Sequence, residues 1–484
     1  MLSFKGHRAR TVVLVRSARF AVLGMIAAAM ACSSILGDKL NPAYCAAHPS
    51  DSDCQKMVPD AGGCMSNAQC MSPMPVCLTD MMTCVQCTAA EHDACTGNTP
   101  ACATDTMTCV QCTAAVHDAC LGTTPVCGAD DTCRKCSAHT ECSSSACLPD
   151  GSCGDDTNVA YVELAGTGTA CTKAAPCKKA SDAVKTNRPF IKVQGTINDQ
   201  VVLSSVNVTF IADPGAKLTD TMNGILLKID GSSQVAIYDL EIGGASGPST
   251  PGIFIQPSSS ATVTLTRARL ADNTGAGIAM NSGVVNISQS TISGNTGPGI
   301  SASGGTLAIS RSTVASNSGG GILTSATPFT IRNNFIYRNG NTVMASSGGV
   351  GAAGIVDPSV LEFNTIVDNL ASGDTLSVAG VLCDHTGFVA PNNLIFRNIG
   401  GAAGNVQTLG SCSYGNSFVN AGTGPADNTL MFAHSNSMPF DYHLTQATPG
   451  TIIDAAGTCT GVDFDGDARP AGAACDLGAD ERKP

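Results

Sequence analysis

"DNTGAGI" at Asp272–Ile278, "GNTGPGI" at Gly294–Ile300 and "SNSGGGI" at Ser316–Ile322 are near-copies of one heptapeptide, and successive copies begin 22 residues apart. Two columns extend the pattern. Asparagines stand at Asn273, Asn295, Asn317, Asn339, Asn369 and Asn398, with spacings of 22, 22, 22, 30 and 29. Gly-Ile pairs begin at Gly224, Gly252, Gly277, Gly299, Gly321 and Gly354. Between them lie alternating apolar residues such as Val263 and Leu265, Val285 and Ile287, Leu307 and Ile309, and Phe329 and Ile331. An apolar residue precedes each Asn by three positions (Leu270, Ile292, Val314, Ile336, Ile366, Ile395).

Period-2 alternation broken by tight turns predicts short strands, one solenoid coil per repeat. No coil can bury its apolar face alone. Coils stacked about 4.8 Å apart cover one another and form a continuous core. The Asn column is expected at a left-handed turn, where its amide satisfies backbone groups and bonds along the stack. Composition agrees: 52 Gly, no Trp and 13% charged residues among 484 suit strands and turns better than helical bundles.

These coils resemble the right-handed parallel β-helix repeat proteins. The resemblance implies an all-β solenoid over about 155–445, with "CTKAAPCKKASDAVK" (Cys171–Lys185) as the short helix that caps the first coil. A cap is needed because an open end exposes strand edges. The tail "YHLTQATPGTIID…DFDGDARPAGAACDLGADE" (Tyr442–Glu481) resembles the terminal motif that follows β-helices in many bacterial surface proteins, which implies a C-terminal cap over 446–484.

The chain opens differently. Lys5, Arg8, Arg10, Arg16 and Arg19 precede the apolar run "AVLGMIAAAM" and Ala31-Cys32, a basic region, a short apolar region and a processing site. Residues 1–31 therefore read as an export signal. "AMAC" resembles the lipobox of bacterial lipoproteins, with Ala29 where that family prefers Leu. It implies a lipidated Cys32, and Ser33 after it implies the outer membrane; a plain secretory signal is the alternative. The formal net charge of −12 becomes more negative once the signal's five bases are removed, which excludes bulk phosphate neutralisation and hence nucleic acid as a partner.

Cysteine arithmetic supports export. Of 25 cysteines, a lipidated Cys32 leaves groups of even size. Cys45 and Cys54 make one pair, and sixteen cysteines lie from Cys64 to Cys153. Cys171 with Cys177, Cys383 with Cys412, and Cys459 with Cys475 complete the set. After a leader at 32–63, residues 64–153 repeat a four-cysteine unit, clearest from Cys87 and Cys112. Each unit is too small to hold a core alone and calls for two cross-links, worth roughly 2–4 kcal/mol each. Four cysteines allow three pairings. "CVQC" (Cys84–Cys87, Cys109–Cys112) with His92 and His117 raises zinc as the alternative.

Two places are candidates for chemistry. Enzymes of the β-helix fold often cleave acidic polysaccharides, so the resemblance implies a lyase or hydrolase as one reading. The position before the ladder Asn runs Asp272, Gly294, Ser316, Arg338, Asp368, Arg397, and the last three are the candidate catalytic set. Their alternative role is a surface ladder of little energetic weight. Asp463, Asp465 and Asp467 in "DFDGD" are candidate Ca²⁺ ligands, without the spacing or closing Glu of an EF-hand. The column Arg267, Gln289, Arg311 and Asn333 is expected to face solvent, with contact to glycan as the alternative, and His385 has no evident acid partner. No organic cofactor is implied. The sequence favours a surface protein presenting its β-helix for adhesion, envelope structure or contact with polysaccharide or a surface protein.

Overall fold

The computed structural model describes residues 63–483 apart from 117–118, 344, 375, 401–406, 421–430 and 458. The export signal, Cys32 and His117 lie outside the described residues. So do Cys45 and Cys54, and with them the expected pairing of those two cysteines. The chain separates into two compact units. One runs up to Cys120 and takes in Cys127–Cys133; the other comprises Leu121–Val126 and everything from Arg134 onward.

The first unit is held by disulfides. Antiparallel hairpins pair Val76–Leu78 with Thr83–Val85 and Ala101–Ala103 with Thr108–Val110. The third and fourth cysteines of a repeat stand opposite each other on the hairpin (Cys77 and Cys84, Cys102 and Cys109). Each reaches back to a different earlier cysteine, which resolves the open pairing. First bonds third and second bonds fourth: Cys64–Cys77, Cys70–Cys84, Cys87–Cys102, Cys95–Cys109, Cys112–Cys127 and Cys120–Cys133. The crossed links bury Cys87 and Cys112 completely in place of an apolar core. Sulfurs from three cysteines cluster within 4.8 Å, but both disulfides of a repeat simply meet there, and each "CVQC" divides its thiols between two disulfides. A disulfide offers no thiolate to zinc.

The second unit contains the solenoid, a right-handed parallel β-helix. Its strands form three parallel sheets of nine, nine and ten strands. One coil shows the path: Ile278–Met280 in the first sheet, Val284–Ser288 in the second and Thr291–Ser293 in the third, after which the chain enters the next coil at Ile300–Ala302. Register is strict, with Val263, Val285 and Leu307 stacked on one another, as are Leu270, Ile292 and Val314. These side chains are fully or almost fully buried, and each contributes roughly 1.5–3 kcal/mol by leaving water. The helix Ala180–Val184 turns Ala180 and Ala183 into the core at the first coil, beside Cys171–Cys177.

The turns differ from expectation in one respect. The left-handed residue is the one before each ladder Asn: Asp272, Gly294, Ser316, Arg338, Asp368 and Arg397 all have φ between 54° and 69°. The Asn follows the bend and points its amide inward. Asn295 Nδ2 donates to Asn317 Oδ1 at 2.8 Å and to Leu270 O at 3.2 Å, while Asn295 N donates to Asn317 Oδ1 at 3.1 Å. The chain of amides runs from Asn273 through Asn339 and Asn369 to Asn398, where Gln407 Oε1 ends it. A buried amide repays its desolvation only when donors and acceptor are all used, and here they are. A second ladder stands at the other bend, where Ser290, Ser312, Asn334, Asn364 and Asn393 follow left-handed Gln289, Arg311, Asn333, Phe363 and Asn392.

The tail covers a flank of the last coils. In the third sheet, outward positions change from Arg269, Thr291 and Thr313 to Phe335, Val367, Leu394 and Phe396. The C-terminal segment packs on this apolar outer face through Phe432, Tyr442, Leu444, Ile452, Leu477 and Ala479. The expected end-cap at 446–484 is thus a side cover. Cys459 and Cys475 are bonded to each other within it, as parity implied, and Cys475 is fully buried in the packed layer. The centre of the cover is Arg469, whose side chain is fully buried, paired with Glu481 at 2.8 Å and donating to Asp476 O, Gly478 O and Ala479 O.

Candidate functional site

Arg338, Asp368 and Arg397 do stand on successive coils. Arg397 Nε and Nη2 bond the two Asp368 oxygens at 2.9 and 2.6 Å, and Tyr442 Oη donates to Asp368 Oδ2 at 2.7 Å. Arg338 lies with its guanidinium 3.7 Å from the Phe440 ring centroid and donates to Tyr442 Oη and Ser435 O. The hairpin Phe432–His434/Asp441–Leu444 therefore lies over the stack. Arg397 and Asp368 side chains retain 10% and 16% exposure, too little for a polymer to reach them while the hairpin is in place.

The "DFDGD" carboxylates diverge. Asp463 is buried and accepts from Gly466 N, Asp467 N and Glu481 N at 2.9, 2.8 and 3.1 Å, which makes it the pivot of a turn. Asp467 pairs with Lys483, and Asp465 turns toward His443 Nε2 at 3.1 Å. Of the Arg267 column, Arg311 donates to Phe464 O and Asp465 O, and Asn333 donates to Val462 O, so the tail covers these too. His385 is exposed on a loop beside Cys383–Cys412.

One open concavity was not anticipated. A groove of about 740 Å³ lies where the last four-cysteine repeat, cross-linked Cys136–Cys147 and Cys142–Cys153, meets the early coils. Its floor is apolar: Leu148, Pro149, Ile211, Pro214 and the Tyr238 ring. Leu148 and Ile211 belong to a small core with Ala146, Val159 and Tyr161, against which Tyr238 packs. Tyr238 ends a second-sheet strand, Asp239 is the left-handed bend after it, and Arg267 is the same bend one coil later. Arg267 forks onto Asp239 at 2.7 and 2.8 Å, 6.0 Å from the Tyr238 ring centroid.

Electrostatics in the groove are closed pairwise. Lys192, with no side-chain exposure, bonds Asp213 Oδ1, and Gln194 bonds Oδ2 at 2.8 Å. Burial holds the Lys192 pKa below its ordinary value, against the pull of Asp213. Asp150 accepts from Ser152 N and Oγ, which holds its carboxyl below the usual range. His139 Nδ1 accepts from Cys147 N at 3.0 Å, so Nε2 carries the proton and donates to Ala212 O at 3.1 Å. Burial and the Lys192 charge lower the His139 pKa, and the ring stays neutral. With its three carboxylates and its imidazole engaged, the groove is suited to holding a ligand rather than moving protons. The sequence did carry a signal: a Tyr-Asp pair at 238–239 with Arg267 one coil on. Only the docked repeat turns that surface into a groove.

Two family models match the chain: one of the right-handed beta helix region over residues 224–426, and one of a family of unknown function (DUF8331) over residues 49–159. The first falls on the coils and the second on the cysteine repeats. A solved structure, the pectate lyase Pel9A, is similar at 18% identity with a TM-score of 0.42, over 67% of this chain and 96% of that one. No curated protein matches.

Proposed function

We propose that this chain is an exported surface lipoprotein, anchored through Cys32 in the outer membrane, whose β-helix unit binds polysaccharide without cleaving it. The groove carries this reading. It offers an aromatic face at Tyr238 beside a forked Arg267–Asp239 pair, an arrangement that suits a sugar ring and its hydroxyls. Because Asp239 and Asp213 are neutralised by Arg267 and Lys192, and the chain as a whole is acidic, a neutral glycan suits the groove better than a polyanion. Lyase or hydrolase chemistry is compatible with the fold, but at Arg338, Asp368 and Arg397 it would require the hairpin above them to lift.

The test is retention of the soluble mature chain on a panel of neutral and acidic polysaccharides, with unsaturated products and new reducing ends followed in parallel. Retention on a neutral glycan that falls about tenfold in Tyr238→Ala and Arg267→Ala supports the reading, at the ~1–2 kcal/mol expected of a stacked ring or a fork. Retention indifferent to both substitutions overturns the site. Turnover lost in Arg338→Ala overturns the non-catalytic reading. Acyl mass on the mature N-terminal peptide tests the anchor.

A further inference from the structure

The C-terminal tail brings three potential metal ligands together from separate segments. His443 comes from the hairpin strand, Asp465 from the "DFDGD" turn and Asp480 from the last residues of the tail. A ring nitrogen of His443 and one oxygen from each Asp lie within 4.8 Å of one another. We propose that His443, Asp465 and Asp480 form a site for one divalent ion of the zinc class, which clips the hairpin to the tail.

Three features separate this cluster from a chance gathering of acids. The first is the imidazole's orientation. His443 Nδ1 faces Asp441 Oδ1 at 2.5 Å, and His443 N donates to the same oxygen at 3.0 Å. A carboxylate only accepts, so Nδ1 holds the proton and Nε2 is left as the coordinating atom. A carboxylate behind a ligating imidazole is the usual support of such a ligand. The second is the state of Nε2: it is buried without a hydrogen bond, although Asp465 Oδ2 lies 3.1 Å away. The third is Asp480, which is 6% exposed and takes one hydrogen bond, from Leu444 N to Oδ2 at 2.6 Å. The neighbouring bases are committed elsewhere, Arg469 to Glu481 and Lys483 to Asp467. A buried carboxylate and a half-exposed one thus converge on an imidazole nitrogen that makes no hydrogen bond, and a divalent cation would satisfy all three.

The ligand set names the class. One nitrogen and two carboxylate oxygens suit Zn²⁺, which takes three protein ligands and a water at about 2.0–2.2 Å. Calcium prefers six to eight oxygens, which this cluster does not supply. The sequence pointed to Asp465 together with Asp463 and Asp467, but the latter two are tied to backbone amides and Lys483.

The untagged full chain is stripped with chelator and titrated with ZnCl₂, and Co²⁺ is used as a spectroscopic substitute. The expected result is one ion per chain, a Co²⁺ spectrum of four-coordinate nitrogen and oxygen ligation, and a rise in thermal midpoint. Asp465→Asn, at a half-exposed position that leaves the fold intact, should weaken binding at least tenfold, and His443→Gln a hundredfold. Zn²⁺ uptake unchanged in both variants, no uptake, or uptake of Ca²⁺ in preference to Zn²⁺ would each overturn the proposal. Should His443→Gln fail to fold, Asp465→Asn alone decides it.

Discussion

Arg397 holds Asp368 through both carboxylate oxygens, from adjacent left-handed bends on successive coils. The pair is nearly buried under a hairpin that adds the Tyr442 hydroxyl to the same carboxylate. Removing one partner leaves the other charge unpaired at low exposure, which costs several kcal/mol. Asp368→Ala should therefore destabilise the chain by about 2–4 kcal/mol in urea unfolding and expose the 431–444 hairpin to protease. An unchanged unfolding midpoint and an uncut hairpin would show that the pair does not hold the cover.

The Asn ladder predicts a cost set by position. Asn317 donates to Asn339 Oδ1 and Ile292 O and accepts from Asn295 Nδ2 and N. Asn317→Ala strands buried groups on both neighbouring coils at about 1–3 kcal/mol each, so a loss of roughly 3 kcal/mol is expected. Asn398, whose amide ends against Gln407 rather than another coil's Asn, should cost less when replaced. Equal losses at the two sites would contradict a ladder whose inner rungs carry more.

His139 predicts an acid-sensitive groove. Its pKa lies below the ordinary 6.5 because burial and Lys192 oppose the charged ring. A depressed folded-state value means that the contribution of neutral His139 is complete above the unfolded pKa and is lost as pH falls through the folded one. Protease cleavage within 134–153 and loss of glycan retention should both increase as pH falls through the folded-state titration of His139, whose resonance should titrate below the ordinary 6.5. A His139 titration above 6.5 would reverse the sign and refute the assignment.

The crossed disulfides predict local rather than global failure. Replacing Cys87 and Cys102 by Ser opens a loop closed across 15 residues, a loss of roughly 3 kcal/mol. Cleavage should appear within 87–109 while the solenoid's far-ultraviolet signature is unchanged. Peptide mapping of the intact chain should recover first-to-third and second-to-fourth linkages; any other pairing would refute the crossed arrangement.

The solenoid was legible from one heptapeptide because a repeat exposes its own geometry. The inward Leu270–Ile395 column and the Asn column each occupy one place in successive coils, whereas of the Gly-Ile pairs only those at Gly252, Gly277, Gly299 and Gly321 share a register, Gly224 and Gly354 falling off it where coil length changes. The second amide ladder was obscured where it begins, since Ser290 and Ser312 fill its first rungs and a hydroxyl column does not stand out in a Ser-rich chain. Cysteine parity pointed to disulfides but not to their pairing within a repeat, since all three connectivities share one sequence. Where only two cysteines stood near each other, as at Cys459 and Cys475, parity was enough.

Every contact between distant segments had to await the folded chain. Residue order alone specified the coil, its inward residues and the approximate place of the left-handed bends, because these depend on neighbours one repeat away. It left Arg338, Asp368 and Arg397 looking like an open row, because the hairpin that lies over them arrives from 38 to 104 positions later in the chain. That Phe335, Val367 and Phe396 turn outward and are buried under the tail shows only in the folded chain. The groove likewise exists only because the last cysteine repeat folds back on the early coils. Short-range periodicity is written in the residues that repeat; a docked, non-repeating segment is specified by shape and desolvation that no column records.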